Sequence, residues 1–196
     1  MHLLVPPDSE PQRLGMIWAI TGPPGVGKST VVSKVILRLK SAGVIVGGCT
    51  TAEKKVRGAR VGFEVRDLTD GTHGELASVS AKLGPKVGKY RVNLVDLSRV
   101  AAAGLAKAAA SSEVIVIDEV GPLELVSPDF RRGVRACMDS GKPLVVVLHE
   151  RLDDDLLNAL REEAAKTFAL TVENRDELTE DLGDSILSAL GGPKAS

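Results

Sequence analysis

Gly22-Pro-Pro-Gly-Val-Gly-Lys-Ser29 constrains this chain more than any other stretch. It fits G-x-x-x-x-G-K-[ST] without a mismatch, and each position has a physical reason. Gly22, Gly25 and Gly27 let the backbone turn back and aim N–H groups at phosphate oxygens. The helix that follows adds the positive end of its dipole. Lys28 is placed to reach the β- and γ-phosphates, and the Ser29 hydroxyl to hold Mg²⁺. The flanks agree with this reading. Met16 to Thr21 reads as a buried strand, and Val31, Val32, Val35, Ile36 and Leu39 recur at helical spacing before Gly43. The nucleotide-binding candidates are therefore Gly22, Pro23, Pro24, Gly25, Val26, Gly27, Lys28, Ser29 and Thr30.

The remaining pattern predicts an α/β fold of three layers around a mostly parallel sheet. Strands are expected at 16–21, 44–49, 114–118, 144–149 and 168–172. Helices are expected over 28–42, 97–110, 129–140, 153–165 and 175–190. Val114-Ile-Val-Ile117 and Leu144-Val-Val-Val-Leu148 are apolar on both faces, as central strands covered by helices on both sides must be. Asn174 followed by Glu177 has the form of a capping box at the start of the last helix. Between 53 and 93 the rhythm changes. Val61, Phe63 and Val65 alternate with Gly62, Glu64 and Arg66, Asp70-Gly71 is a hairpin signal, and Tyr90-Arg-Val-Asn-Leu94 suggests another strand. We read residues 14–190 as one domain carrying this β-rich hairpin insertion. Residues 1–13, with Pro6, Pro7 and Pro11, read as a flexible lead-in, and 191–196 as a tail.

Composition removes several classes of function. The net charge of −1 supplies no basic field, which argues against nucleic acid and anionic membrane as partners. No apolar run approaches the length of a membrane span, and the first residues lack the pattern of a signal peptide. Cys49 and Cys137 match neither a zinc spacing nor a disulfide framework, so a reducing, cytoplasmic setting is expected.

A second half of the site is legible in Ile115-Val-Ile-Asp-Glu119, an apolar strand ending in two carboxylates. Beside a phosphate loop, Asp118 is placed to hold Mg²⁺ through its water shell. Glu119 is then placed to orient or deprotonate an attacking water, with Lys28 completing the catalytic pair. An Asp-Glu pair suits hydrolysis better than transfer to an organic acceptor. His149 ends the 144–149 strand, where it either faces the γ-phosphate or is an ordinary polar strand end. Thr50 and Thr51 end another strand at the same edge. Lys54, Lys55, Arg57 and Arg60 form a basic cluster at the start of the insertion. Arg60 is the member best suited to stabilise charge, and the others suit a solvated edge. Arg131 and Arg132 read as a solvated helix face, and Trp18 and Tyr90 as core.

Taken in order, these residues resemble a family. The run Gly22-Pro-Pro-Gly-Val-Gly-Lys-Ser-Thr30, then Thr51-Ala-Glu53 and Arg60-Val-Gly-Phe-Glu-Val65, opens the resemblance. Val87-Gly-Lys-Tyr-Arg-Val92, Ile117-Asp-Glu-Val-Gly-Pro-Leu-Glu-Leu125 and Thr171-Val-Glu-Asn-Arg-Asp176 complete it. The chain resembles the small P-loop nucleoside-triphosphatases of the THEP type, relatives of the human cancer-related nucleoside-triphosphatase. The resemblance implies a RecA-like fold of the additional-strand type. It also implies a Mg²⁺-dependent enzyme that removes the terminal phosphate of ATP, GTP, CTP or UTP with loose base choice, without an obligate protein partner. It supports Gly22, Gly27, Lys28, Ser29 and Thr30 as nucleotide-binding, and Asp118 and Glu119 as Mg²⁺ and water residues. It draws attention to Glu53, Arg60, Glu124, Asn174 and Arg175. Gly48-Cys49 stands where the family often has aromatics, which implies a flatter wall there. Two other readings remain open. One is a nucleotide or polynucleotide kinase, whose lid would have to come from 54–60. The other is an NTP-dependent switch or assembly module.

Overall fold

The computed structural model describes residues 16–192, so the predicted lead-in 1–13 and the last residues of the predicted tail lie outside the described residues. One sheet of nine strands organises the rest. In chain order these are β1 (Ile17–Thr21), β2 (Val46–Val56), β3 (Ala59–Asp67), β4 (His73–Ser78) and β5 (Lys86–Val87), followed by β6 (Tyr90–Val92), β7 (Val114–Val120), β8 (Leu144–Leu148) and β9 (Ala164–Ala169). The order across the sheet is β5-β6-β4-β3-β2-β7-β8-β1-β9. From β2 to β9 every neighbour is parallel, and from β2 to β5 every neighbour is antiparallel. β8 lies between β1 and β7, which is the additional strand that the resemblance implies.

The helices are α1 (Lys28–Ser41), α2 (Leu94–Asp96), α3 (Ala103–Ser111), α4 (Pro128–Asp139), α5 (Asp155–Glu163) and α6 (Arg175–Ala189), with a π-helical turn at Leu97–Ala102 joining α2 to α3. Two apolar clusters separate the faces. Val31, Val35 and Leu39 of α1 and Leu182 and Ile186 of α6 pack with Val114 and Val116. Leu105, Phe130 and Leu156, from α3, α4 and α5, pack with Ile115 and Ile117. Alternate residues of β7 thus serve opposite layers, and each fully buried Ile or Leu contributes about 1.5–3 kcal/mol. Trp18 (3% exposed) and Tyr90 (8%) lie in these cores, as the sequence predicts.

The predicted β-rich segment continues the main sheet. β2 runs well beyond its predicted end, turns at Arg57-Gly58 and returns as β3. Asp70 and Gly71 form the next turn, where the Asp70 carboxylate accepts the Thr72 N–H at 2.9 Å.

Three local expectations are corrected. The helix predicted over 153–165 stops at Glu163, and the chain passes straight into β9, three to four residues ahead of the predicted strand. Ala164, Ala165 and Lys166 are good helix formers, but pairing with β1 overrides propensity. The helix predicted from Leu97 begins at Leu94, where the Asn93 side chain accepts the Asp96 N–H. Asn174 stands at the N-cap of α6 without capping it. Its Oδ1 accepts the Thr171 N–H (2.9 Å) and its Nδ2 donates to the Ala169 carbonyl (2.9 Å), so the side chain ties down the preceding loop instead. No helix among the described residues is long and apolar enough to cross a membrane. Cys49 and Cys137 are free and buried.

Candidate active site

The site lies at the carboxyl edge of the parallel strands, where β1 enters the glycine loop. Gly22 (φ 150°) and Gly27 (φ 102°) hold backbone angles that favour glycine. A methyl group on Gly22 would stand 2.8 Å from the Leu170 carbonyl oxygen, so the loop cannot carry a side chain there. Among the described residues, none offers an acceptor to the N–H groups of Gly25, Gly27, Lys28 or Ser29. These are the donors that an anion at the start of α1 would use. Lys28 Nζ donates to the carbonyls of Gly22 (2.8 Å) and Pro23 (3.2 Å), so its charge folds back over the loop it would complete.

Asp118 ends the apolar run of β7 and is 2% exposed. The Ser29 hydroxyl and the Lys28 charge both act on its carboxylate, so the phosphate loop and the end of β7 are neighbours. Burial pushes the Asp118 carboxyl up to about 6, opposed by the Ser29 hydroxyl and the Lys28 charge and reinforced by Glu119. Glu119 is the next residue and is half-buried. Thr50 pairs with Asp118 across the sheet, with Thr51 beyond it.

Behind Glu119, Glu124 is 4% exposed, and its Oε2 accepts the Gly121 N–H at 3.2 Å. Burial, with the charge of Glu119 next, pushes its carboxyl up to about 8.

The other predicted residues divide. His149 stands at the end of β8, and its N–H bonds the Val120 carbonyl (3.2 Å), pinning β8 to β7. Its Nδ1 accepts the Leu152 N–H at 3.1 Å. Arg175 lies over the glycine loop, where a methyl on Gly27 would stand 3.1 Å from its Cδ. Arg60 and Glu53 pair at 2.6 Å on the β2–β3 hairpin. Arg60 Nε also donates to the Tyr90 hydroxyl (3.1 Å), and the guanidinium lies 5.5 Å from the Phe63 ring centre. Alternation from Thr50 puts Glu53 on the face opposite Asp118. This commits Arg60 to a cluster on the α3–α4 side of the sheet. Arg131, predicted in water, is instead half-buried against Asp154 at 2.8 Å.

This geometry can be set beside known proteins. A family model described as NTPase matches residues 18–182. The nucleoside-triphosphatase THEP1 of Thermofilum pendens is 43% identical over 171 residues, covering 86% of this chain and 94% of that protein. The protein of the same name from Methanosarcina acetivorans is 44% identical over 177 residues, covering 88% and 98%. The chain belongs to the THEP1 nucleoside-triphosphatase family. Solved structures agree with this membership. The crystal structure of THEP1 from Aquifex aeolicus superposes with a TM-score of 0.74 at 33% identity, covering 85% of this chain and 96% of that one. The solution structure of a human cancer-related nucleoside triphosphatase superposes equally well, with a TM-score of 0.74 at 34% identity and coverage of 89% and 99%.

Two features of this THEP1-family site were not assigned from the sequence. The first is Glu124, singled out only by the resemblance and given no role. An acid inside an otherwise apolar turn was the available signal. The second is a hollow of about 220 Å³ beside α1, walled by Thr30, Lys34, Val172, Glu173, Arg175 and Asp176. No periodicity marks it, because α1 and the loop before α6 meet only in the fold.

Proposed function

We propose that this chain hydrolyses nucleoside triphosphates to the diphosphate and phosphate, with Mg²⁺ and with little discrimination between bases. One observation carries the reading. The buried Asp118 carboxyl feels the Ser29 hydroxyl and the Lys28 charge of the phosphate loop, and the residue after it is a half-exposed glutamate. That arrangement supports water activation beside bound phosphate.

Mg²⁺ suits the donors present. Ser29 and Asp118 supply hard oxygens, and Mg²⁺ in such sites takes one or two carboxylates with phosphates and waters. No group of three or more His, Cys, Asp or Glu side chains fit for a metal occurs among the described residues. When bound, the ion would neutralise charge on the β- and γ-phosphates.

The chain's own groups do the rest. The loop amides and the α1 N-terminus receive the phosphates. Lys28 exchanges its two carbonyl contacts for phosphate oxygens and so carries its charge to the bond that breaks. Glu119 takes a proton as the water oxygen bonds to the γ-phosphorus and the bond to the bridging oxygen breaks. The hollow beside Thr30 seats the nucleoside. Its apolar wall is Val172, 60% exposed, and Arg175 offers a flat guanidinium for stacking. Lys34 and Asp176 already bond each other (2.9 Å), and the Thr171 side chain holds the Glu173 carboxyl below its usual range. A seat whose Lys34 and Asp176 charges satisfy each other offers fewer groups to base edges, which supports loose base choice.

The test is phosphate release from ATP, GTP, CTP and UTP, with Mg²⁺ and with chelator, in wild type and Glu119→Gln. The expected result is Mg²⁺-dependent turnover on all four, with kcat down about 10²–10⁴-fold in the variant and nucleotide binding retained. Turnover on one base alone would overturn loose base choice. Turnover unchanged in the variant would remove Glu119 from the reaction.

A further inference from the structure

The site contains a second glutamate that the proposed chemistry does not use. Glu124 is 4% exposed, and among the described residues no lysine or arginine pairs with it. The charged groups that act on it are acids, Glu119 and Asp118. A buried carboxylate beside two others is costly and needs a compensating arrangement.

Glu124 sits at the centre of the turn that leads from β7 to α4. Its carbonyl accepts the Ser127 N–H (3.0 Å), and Leu125 N–H bonds the Gly121 carbonyl (3.0 Å). Ser127 then caps α4 through Phe130 N–H (3.2 Å). The Glu124 side chain reaches back across this turn to Gly121 N–H. It is therefore held at both ends, in contrast to the half-exposed Glu119.

The two carboxyl groups meet over Gly121. A Cβ at that position would stand 2.6 Å from Glu119 Oε1 and 3.2 Å from Glu124 Oε2. Both oxygens thus line one small space and stand no more than 5.8 Å apart, a span that a single water can bridge. Burial first, and then the charge of Glu119, push the Glu124 carboxyl up to about 8, so Glu124 holds a proton that it can donate across this space.

We propose that Glu124 is a positioning residue: anchored on Gly121 N–H, it presents a hydrogen-bond donor to the Glu119 carboxylate and fixes that group's aim at the attacking water. The assignment rests on Glu119 as the water-handling residue. It explains why an acid occupies an apolar turn. A neutral carboxyl both accepts from a backbone amide and donates to a neighbour, which few side chains of this size can do.

Glu124→Gln and Glu124→Met separate the possibilities. The amide of Gln can accept from Gly121 N–H and donate to Glu119, whereas Met fills the volume and donates nothing. Single-turnover phosphate release gives the rate, and a fluorescent nucleotide analogue gives Kd. Expected are E124Q within about threefold of wild type, and E124M down about 10–100-fold in rate with Kd unchanged. In an Glu119→Gln background, E124M should cost nothing further, because the group it positions is gone. Three results overturn the proposal: full activity in E124M, a loss in E124Q as large as in E124M, or an equal E124M loss in both backgrounds. If E124M does not fold, E124Q decides alone, since retained activity supports the assignment and a tenfold loss removes it. Wild-type turnover in Glu119→Gln itself is a separate failure, of the water-handling reading.

Discussion

Gly121→Ala is the smallest change that reaches the reacting groups without touching them chemically. The added carbon would stand 2.6 Å from Glu119 Oε1 and 3.2 Å from Glu124 Oε2. Non-bonded heavy atoms settle at about 3.5 Å or more, so the Glu119 carboxyl must retreat by about 1 Å. Gly121 is not among the glycines with positive φ, so alanine meets no backbone penalty and the effect is confined to the carboxyl groups. A displacement of about 1 Å in a catalytic group costs about 10²-fold in rate. Complete loss of general-base assistance, about 10²–10⁴-fold, sets the ceiling.

The three atoms nearest the added carbon belong to Glu119 and Glu124 and not to the phosphate loop. The expected signature is therefore a fall of about 10²-fold in single-turnover phosphate release with nucleotide Kd unchanged. Overpacking of this size costs about 1–3 kcal/mol, which at about 2–4 °C per kcal/mol leaves the enzyme folded at assay temperature. Two results would refute the reasoning. A rate within twofold of wild type would mean that Glu119 does not need its present position. A Kd that rises in step with the loss of rate would mean that the turn supports binding and not the chemical step.

Two further expectations come from the same coordinates. Arg175→Ala should raise KM for all four triphosphates by a similar factor, about tenfold, while affinity for inorganic tripolyphosphate stays the same. Competition between tripolyphosphate and a fluorescent nucleotide reads this out, and equal loss for both would place Arg175 on the phosphates instead. Glu124, pushed up to about 8 from an ordinary 4.5, retains in the folded state a proton that the unfolded chain releases. The folded state then binds more protons across that window, so ligand-free stability falls as pH rises from about 4.5 to 8. Asp118, up to about 6, acts in the same direction over the lower part. Glu124→Gln should flatten the upper part, visible as a melting temperature that gains on wild type between pH 6 and 8.5. Parallel melting curves for the two proteins would contradict a buried, proton-holding Glu124.

The parts of this fold that were legible in the sequence are those where local chemistry and tertiary role coincide. The glycine loop needs its residue types wherever it occurs, and Val114–Ile117 can only be a strand covered on both faces. Ala164 and Ala165 were read as helix because alanine favours it, and only the edge of β1 starts the strand there and not at 168. Asn174 was misread because a cap and a loop tie look alike in sequence, and the Ala169 carbonyl decides between them. The site followed the same division. Lys28, Ser29 and Asp118 could be proposed from the sequence because each has a motif position. Glu124 and the hollow beside Arg175 could not, because each depends on a meeting of segments that no periodicity encodes.

The additional strand gives these pieces one geometric purpose. Neighbouring strands lie about 4.8 Å apart, so placing β8 between β1 and β7 separates the phosphate loop from the acidic strand by about 10 Å. On the function proposed above, that gap is where a terminal phosphate and a water would lie between Lys28 and Glu119. It must still be spanned for the charges to act together. Ser29 and Lys28 reach across it to act on the Asp118 carboxyl. At its floor, β8 ends in His149, whose N–H fastens it to Val120 of β7 just beyond Glu119. The same residue of β7 that closes this floor precedes Gly121, where Glu124 takes hold. The end of the acidic strand is thus fixed at Val120 and Gly121. Glu119, just ahead of these anchors, is half-exposed, which is what the proposed role in handling water requires of it.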